Sequence, residues 1–254
     1  MSIVRVIPIL LLKDEGLVKT KKFKDPVYIG DPINAVRIFN EKEVDELVLF
    51  DIDAAKKERP PQYDWLSDIV SESFMPIGYG GGIDSVDKAK RVFDLGIEKV
   101  VLNSASFNYD LIEKLAAIYG SQSIVISIDV KKNFFGQYHT YSKSANQKHS
   151  VGPVDHAKKV VNAGAGEIII QSIDNEGTMK GYDIELTKSV SESVPVPVVA
   201  SGGAGSIEDL EQALKEGEAS AVSAGSLFIF KGKQNGILIN YPTEIIHNKF
   251  FENV

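Results

Sequence analysis

Two similar stretches occur in the chain, one in each half: Ile77-Gly78-Tyr79-Gly80-Gly81-Gly82-Ile83-Asp84-Ser85 and Val198-Val199-Ala200-Ser201-Gly202-Gly203-Ala204-Gly205-Ser206. In each, an apolar strand end is followed by a glycine cluster and then by an acidic helix start. Glycine lets the backbone come close to a ligand, and the free N–H groups at a helix start suit an anion such as phosphate. The sequence therefore predicts two phosphate cradles.

The two stretches belong to a longer internal repeat with an offset of 121 residues, as from Gly81 to Gly202. The same offset places Asp51-Ile52-Asp53 on Ser172-Ile173-Asp174, and Asn103-Ser104-Ala105 on Ala224-Gly225-Ser226. A repeat of half the chain predicts two similar structural halves, each with one cradle.

Short apolar runs alternate with segments of helical period along the chain. The candidate strands are Val4–Leu12, Glu46–Asp51, Met75–Tyr79, Lys99–Leu102, Ile124–Asp129, Glu167–Ser172, Val196–Ala200 and Ser220–Ala224. The candidate helices are Ile33–Glu41, Tyr63–Ser73, Val86–Leu95, Asp110–Tyr119, Pro153–Ala163, Asp183–Ser193, Ile207–Glu216 and Thr243–Asn248. Eight strand–helix units predict an α/β fold, a (β/α)₈ TIM barrel with a half-barrel repeat, as a single domain over residues 1–254. A doubly wound sheet is the alternative, but it does not explain the repeat.

The composition narrows the class of protein. The net charge of −7 argues against a nucleic-acid or an anionic membrane partner. The chain has no cysteine, which excludes disulfides and thiol catalysis and makes the cytoplasm the expected location. No run reaches the roughly 18 apolar residues of a membrane span, and we interpret Val4–Leu12 as a strand instead of a signal peptide.

Two long connections, Leu12–Asp31 and Val130–Gly152, follow strand ends at related positions of the two halves. Barrel enzymes build their sites on this face, so both are predicted to cover the substrate. The second connection contains an aromatic-rich segment, residues 134–141, that could form a small hairpin.

Polar residues at the carboxyl ends of the candidate strands are the site candidates: Asp51, Asp53, Asn103, Ser104, Asp129, Ser172, Asp174, Ser201 and Ser226. Asp129 ends a continuous apolar run, where partial burial would tune a carboxylate for acid–base catalysis. The alternative is an aspartate that only fixes a loop. In the repeat its counterpart is Leu11, and Asp14 lies three residues further on in a loop.

Other ionisable residues give weaker signals. His139, His149, His156 and His247 show no metal-ligand spacing, and the sequence implies no metal and no cofactor. His139 is the best placed of the four for catalysis. A separate group with alternating charges stands at the amino-terminal strand starts: Arg5, Glu46, Lys99 and Glu167. They could form a ring of ion pairs, although spacing alone favours four solvated charges.

With these residues established, the sequence resembles the cyclase subunit of imidazole glycerol phosphate synthase, the HisF family, from Arg5 to about Phe230. The most specific matches are Gly80-Gly81-Gly82-Ile83, Asn103-Ser104-Ala105, Gly164-Ala165-Gly166-Glu167-Ile168, Asp174 through Gly177-Thr178, Gly181-Tyr182-Asp183 and Ala200-Ser201-Gly202-Gly203-Ala204-Gly205. The resemblance implies that the cradles hold the two phosphates of one long substrate. It also implies a glutaminase (HisH-like) subunit that docks at the amino-terminal barrel face and sends ammonia through the core. Arg5, Glu46, Lys99 and Glu167 then match the family's ammonia gate, which replaces the interpretation as solvated charges.

The resemblance also assigns roles at the opposite face. The implied substrate- and phosphate-binding residues are Lys19, Gly81, Gly82, Asn103, Ser104, Asp174, Gly177, Thr178, Ser201, Gly202, Gly203, Ala224, Gly225 and Ser226. Two aspartates, on the first and fifth strands, carry the family's acid–base chemistry in forming imidazole glycerol phosphate from ammonia and a phosphoribulosyl-formimino ribotide. Asp129 matches the second, whereas Leu11 stands at the first.

The departures from the family pattern lie on the substrate side. Besides Leu11, the family's Asp-Gly-Thr becomes Glu176-Gly177-Thr178, and its glycine-rich fifth-loop tip becomes residues 141–148. This favours a paralogue that retains ammonia supply but acts in acetamidino-sugar (surface polysaccharide) synthesis. The alternatives are the ordinary histidine-pathway cyclase and a non-catalytic scaffold that activates the glutaminase. Asp14, Lys19 and His139 are the candidates to replace the missing carboxylate.

Overall fold

Eight parallel strands close into a barrel in the computed structural model, which describes residues 4–142, 147–232 and 236–250. In chain order the barrel strands are β1 (Arg5–Lys13), β4 (Leu47–Asp51), β5 (Ile77–Gly80), β6 (Lys99–Leu102), β7 (Ile124–Lys132), β10 (Glu167–Ser172), β11 (Val198–Ser201) and β12 (Ala221–Ala224). Neighbouring strands pair in sequence order, and the pairings of β12 with β1 and of β7 with β10 complete the ring. The predicted (β/α)₈ barrel is confirmed.

Helices alternate with these strands on the outside of the barrel. They are α1 (Pro32–Glu41), α2 (Tyr63–Ser71), α3 (Val86–Asp94), α4 (Tyr109–Tyr119), α5 (Pro153–Asn162), α6 (Ile184–Ser191), α7 (Ile207–Lys215) and α9 (Thr243–Phe250). Local sequence fixes their starts, because the side chains of Ser85, Asn108 and Asp183 each accept a bond from a backbone N–H of the first turn. No helix within the described ranges is both long and apolar enough to cross a membrane.

Smaller elements occupy the connections that follow the strands. β2 (Gly16–Lys21) and β3 (Lys24–Gly30) form a hairpin after β1, and β8 (Tyr138–Ser142) with β9 (Gln147–Lys148) continues antiparallel from β7. A short 3₁₀ turn after β6 and the four-residue helix α8 (Ser226–Ile229) after β12 are also equivalent in position. Each half of the barrel therefore carries a hairpin on its first strand and a tight turn on its last, which supports the half-barrel repeat. Residues 143–146 of the altered fifth-loop tip lie outside the described residues.

Two apolar clusters hold the barrel together. The larger lies between the strands and the helices and includes Phe39, Leu66, Leu115 and Phe228. The smaller fills the barrel interior, and its members are Ile7, Ile9, Val48, Val101, Val125, Ile169, Val199 and Ala221, with Leu11 and Phe50 packed against it. Successive side chains of a strand point to opposite faces, so each barrel strand contributes alternately to the interior cluster and to the outer one. Both faces must therefore be apolar, which explains the continuous apolar runs in the sequence.

Candidate active site

A cavity of about 1080 Å³ opens at the carboxyl ends of the barrel strands. This volume suits a substrate of considerable length. Twelve of the residues implied to bind phosphate or substrate line this cavity: Lys19, Gly81, Gly82, Asn103, Ser104, Gly177, Ser201, Gly202, Gly203, Ala224, Gly225 and Ser226. The two that do not, Asp174 and Thr178, are described below. The structure thus brings most of the predicted site residues together.

The floor of the cavity differs between the two halves of the barrel. In the first half, the paired residues that line it are Leu11, Phe50, Gly80 and Val101. In the second half, they are Asp129, Gln171, Ser201 and Ser223. One side of the floor is therefore apolar, and the other carries groups able to form hydrogen bonds.

The first cradle depends on backbone that only glycine adopts readily. Gly81 and Gly82 have φ angles of 143° and 68°. A Cβ on Gly81 would meet the Cβ of Asp51 at 2.7 Å, and one on Gly82 would collide with the carbonyl oxygen of Arg59. Asp51 is in turn fixed by Arg59, whose Nη2 lies 2.8 Å from its Oδ2. The glycines are needed both for the turn and for its contact with the next loop.

The second cradle is built in the same way around Gly202 and Gly203, with φ angles of 90° and 117°. A Cβ on Gly203 would overlap the carbonyl oxygen of Gly181. Beyond this turn, Ser206 caps α7 in a capping box with Asp209, whose Oδ2 accepts from the N–H groups of Gly205 and Ser206. An anion in the cradle would meet backbone N–H groups.

We expect Gly203→Ala to lower the free energy of unfolding by about 3 kcal/mol, because it combines an unfavourable φ with a backbone collision. Gly136→Ala is the matched control: Gly136 also has a positive φ, 78°, but a Cβ there meets nothing within 4 Å. The control should lose only about 1 kcal/mol. Urea denaturation of both variants measures the difference, and equal losses would refute the close-packed cradle.

Asp129 is the buried carboxylate on the polar side of the floor. Burial raises the pKa of Asp129 to about 8, against the lowering effect of a hydrogen bond from Asn103, and the nearby charge of Glu176 raises it further. Asn103 is held in place because its Nδ2 also donates to the carbonyl oxygen of Ser127 over 2.9 Å. Near neutral pH such a carboxyl can hold a proton and release it, as a general acid or base must.

Lys19 brings a buried cation to the same cavity. The residue is 6% exposed, and its Nζ lies 1.9 Å from the position that a Cβ of Gly225 would take. Among the described residues no ion pair or hydrogen bond is formed by this Nζ. Burial lowers the pKa of Lys19 to about 8, although the charge of Glu176 opposes the shift. A buried, unpaired ammonium beside the second cradle is suited to an anionic group of a ligand.

The other two candidates for the missing carboxylate lie away from the cavity. Asp14 forms an ion pair with Lys57, 2.8 Å between Oδ1 and Nζ, and its side chain is 63% exposed. His139 lies on β8, where its ring nitrogen contacts Asn133 at 3.0 Å. Of the three candidates, only Lys19 is part of the cavity wall.

Some predicted site residues have structural contacts instead. Asp174 accepts a hydrogen bond from the backbone N–H of Lys132 at 3.0 Å, and Thr178 donates to the carbonyl oxygen of Asn175 at 2.7 Å. Neither they nor Ser172 line the cavity, whereas Asp53 does and pairs with Lys57.

Gln171 is a cavity residue that the sequence analysis missed. Its Oε1 accepts a hydrogen bond of 2.5 Å from Ser201, and in the strand register it lies beside Asp129. The sequence analysis took Ser172, the last residue of the strand, as the site candidate. The alternation of side chains along β10 would have pointed to Gln171.

The histidines take no part in the cavity lining. His156 is fully buried, contacts Ser106 and Tyr109 through its two ring nitrogens, and stacks on Phe107. Burial lowers the pKa of His156 to about 4, which keeps the ring neutral. His156 therefore packs α5 against the turn after β6 and the start of α4. No cluster of three or more His, Cys, Asp or Glu side chains in the described parts of the chain is arranged to hold a metal.

At the opposite face, four charges form a closed ring. Arg5 contacts Glu46, 2.6 Å between Nη1 and Oε2, and also Glu167. Lys99 Nζ lies 2.8 Å from a carboxylate oxygen of each of the same two glutamates. Each cation thus binds both anions, and the side chains of Glu46 and Glu167 are only 6% exposed. The ring closes the amino-terminal end of the barrel below the interior apolar cluster.

Comparison with known proteins gives consistent matches along the chain. A family model described as "Histidine biosynthesis protein" matches residues 5–234. A Pseudomonas aeruginosa protein, provisionally named imidazole glycerol phosphate synthase subunit hisF2, is 50% identical over 94% of this chain and 95% of its own length. A Vibrio vulnificus protein with the similar provisional name hisF3 is 46% identical over 98% and 96%. Imidazole glycerol phosphate synthase subunit HisF of Alkaliphilus metalliredigens is 40% identical over 88% and 89%.

Proposed function

Because this chain belongs to the HisF family of imidazole glycerol phosphate synthase subunits, we propose that it is the ammonia-using synthase subunit of a glutamine amidotransferase complex. We further propose that its acceptor differs from that of the ordinary cyclase and that it works in the cytoplasm. The acceptor is a phosphorylated small molecule held between the two cradles.

The one-sided cavity floor is the observation that carries this proposal. An acid–base pair built across the barrel would need a proton-transfer group on each side, but Leu11 faces the cavity where the first would stand. The nearby buried carboxylates are already engaged: Asp51 pairs with Arg59, and Glu176 accepts a bond from Thr20. This leaves Asp129 as the carboxyl free to exchange protons with a substrate.

Ammonia supply is supported by the opposite face and the interior. The charged ring closes the barrel end, and the apolar interior cluster favours neutral ammonia over the ammonium ion. Gly78 allows Val48 and Val101 to pack closely there, since a Cβ on Gly78 would lie 3.2 Å from Val48 Cγ2. A HisH-like glutaminase docked at the amino-terminal face would deliver ammonia directly to the ring.

The acceptor that we propose is an acetamido sugar, which ammonia converts to an acetamidino sugar. Nitrogen then replaces the amide oxygen, so a nucleoside triphosphate must first activate that oxygen as a leaving group. The retained cradles and Asp129 favour a second candidate, ordinary cyclisation to imidazole glycerol phosphate. The two cradles argue against a non-catalytic scaffold, because a protein that only activates a glutaminase needs no phosphate site.

The deciding experiment supplies the purified chain with the phosphoribulosyl-formimino ribotide and a high concentration of ammonium salt, with imidazole glycerol phosphate followed by mass spectrometry. We expect Leu11→Asp to raise the rate by roughly 10²–10⁴ over the natural chain, since it restores a positioned acid–base group. The control is Leu11→Asn, because asparagine has the size of aspartate but cannot exchange protons. Rapid turnover by the natural chain would overturn the proposed change of acceptor and establish the ordinary cyclase.

If the natural chain is inactive in that assay, acetamido-sugar nucleotides are tested next with ammonium salt and a nucleoside triphosphate. The expected product has the amide oxygen replaced by nitrogen. No product from a panel of such sugars would refute the acetamidino-sugar assignment.

A further inference from the structure

The hairpin formed by β2 and β3 has a turn that its own sequence does not favour. Only Lys22 and Phe23 separate the two strands, and both have positive φ angles, 55° and 59°. Two-residue turns of this kind prefer glycine or asparagine, because other side chains crowd the backbone in this conformation. The turn therefore needs contacts from elsewhere to hold it.

Glu176, on the loop that follows β10, provides three such contacts. Its Oε1 accepts a bond of 2.8 Å from Thr20 Oγ1, and its Oε2 accepts one of 2.9 Å from the backbone N–H of Phe23. Its own carbonyl oxygen accepts a third, 2.9 Å from the N–H of Lys22. The Glu176 side chain is almost fully buried, so these bonds form in a water-poor environment where they are strong.

The fit between the two segments is close on the backbone as well. Gly177 has a φ of 69°, and a Cβ there would overlap the carbonyl oxygen of Thr20. The pairing of β2 with β3 shifts register between Lys19 and Lys21, which places Thr20 in an irregularity of the ladder. This lets both Lys19 and Thr20 face the cavity, although they are adjacent along the strand.

We infer that Glu176 is a positioning residue that fastens the β2–β3 hairpin over the cavity and so holds Lys19 Nζ at the second cradle. The contacts of Glu176 involve Thr20, Lys22 and Phe23, all within four residues of Lys19, so the position of the ammonium depends on them. A carboxylate one methylene shorter would not reach both Thr20 and Phe23 from the same backbone position. The use of Lys19 for a ligand rests on the proposed function, whereas the fastening of the hairpin does not.

The test measures the reactivity of Lys19 in Glu176→Ala as a function of pH, by amine acylation and peptide mass spectrometry. If Glu176 fastens the hairpin, its loss exposes Lys19, and the pH of half-maximal labelling rises from about 8 towards that of an ordinary lysine. If Glu176 acts only through its charge, Lys19 stays buried and loses a favourable anion, so that pH falls instead. A fall, or no change, would overturn the inference.

Hydrogen exchange supplies a second readout that needs no acceptor substrate. We expect the amides of Lys22 and Phe23 to exchange at least tenfold faster in Glu176→Ala, and trypsin to cleave after Lys21 and Lys22. Thr20→Val, which removes one bond and leaves Glu176 in place, should show a smaller change in the same direction. Glu185→Ala, an exposed glutamate on α6, should change neither readout. Because the readouts are independent of catalysis, failure to find an acceptor would leave the fastening role standing.

Discussion

Asp129→Asn is expected to reduce ammonia-dependent turnover by roughly 10²–10⁴, whichever acceptor proves to be the substrate. Asparagine keeps the size and the hydrogen bond with Asn103, but it cannot release a proton at any working pH. The binding of inorganic phosphate to the cradles should change little, because the variant leaves both glycine turns intact. Steady-state rates and phosphate titration test the two parts separately.

The same variant should be more stable than the natural chain above about pH 4. Burial raises the pKa of Asp129 to about 8, from the ordinary value of about 3.9 in the unfolded chain. Between these values the unfolded chain loses the proton more readily than the folded one, so the carboxyl costs stability as pH rises. We therefore expect the gain from Asp129→Asn to be absent below pH 4 and to grow up to pH 8. Asp94→Asn, at an exposed helix position, should show neither the activity loss nor this pH dependence.

Lys99→Met should lower the free energy of unfolding by about 3 kcal/mol at pH 7. It leaves Glu46 and Glu167 almost buried with one cation between them, and a buried charge without its partner is strongly destabilising. Lys90→Met removes a lysine from the exposed pair with Asp94 and is the matched control. Exposed pairs contribute little, so it should change stability far less than Lys99→Met does. Urea denaturation compares the two, and equal effects would contradict a tightly closed ring.

The effect of Lys99→Met should depend on pH in a defined direction. Burial raises the pKa of Glu167, but the bonds and charges of Arg5 and Lys99 outweigh it and lower that pKa below its ordinary value. Such a group contributes stability above the unfolded-state value, about 4.3, and loses it as pH falls through the folded-state value. The difference between the natural chain and the variant should thus shrink below about pH 4. A difference that grows in acid would contradict this account.

The barrel could be predicted from sequence because its determinants are local. A strand buried on both faces must be apolar at every position, and helix starts carry their own capping residues such as Ser85 and Asp183. The two glycine turns were predictable for the same reason, since positive φ and close approach leave glycine as the residue that fits. The predicted positions of the eight barrel strands agree with the structure to within about two residues at most ends.

The elements that the sequence did not reveal depend on distant contacts. The β2–β3 hairpin has Lys22 and Phe23 in its turn instead of glycine or asparagine, and it is held by Glu176 from the other half of the chain. The charged ring likewise joins residues at or just before the starts of four strands, so spacing alone favoured solvated charges until the family resemblance was considered. Gln171 was missed because Ile168, Ile169 and Ile170 are apolar on both faces of the strand, so that its inward direction follows only from its alternation with Glu167.

The interior apolar cluster also has a consequence for proton movement. A proton travels through a protein along side chains or waters that can bind and release it. None of the ten described side chains in this cluster can do so. These side chains therefore provide no proton relay between Asp129 and the charged ring. Acid–base chemistry at Asp129 is thus expected to exchange its protons with the solution at the cavity mouth.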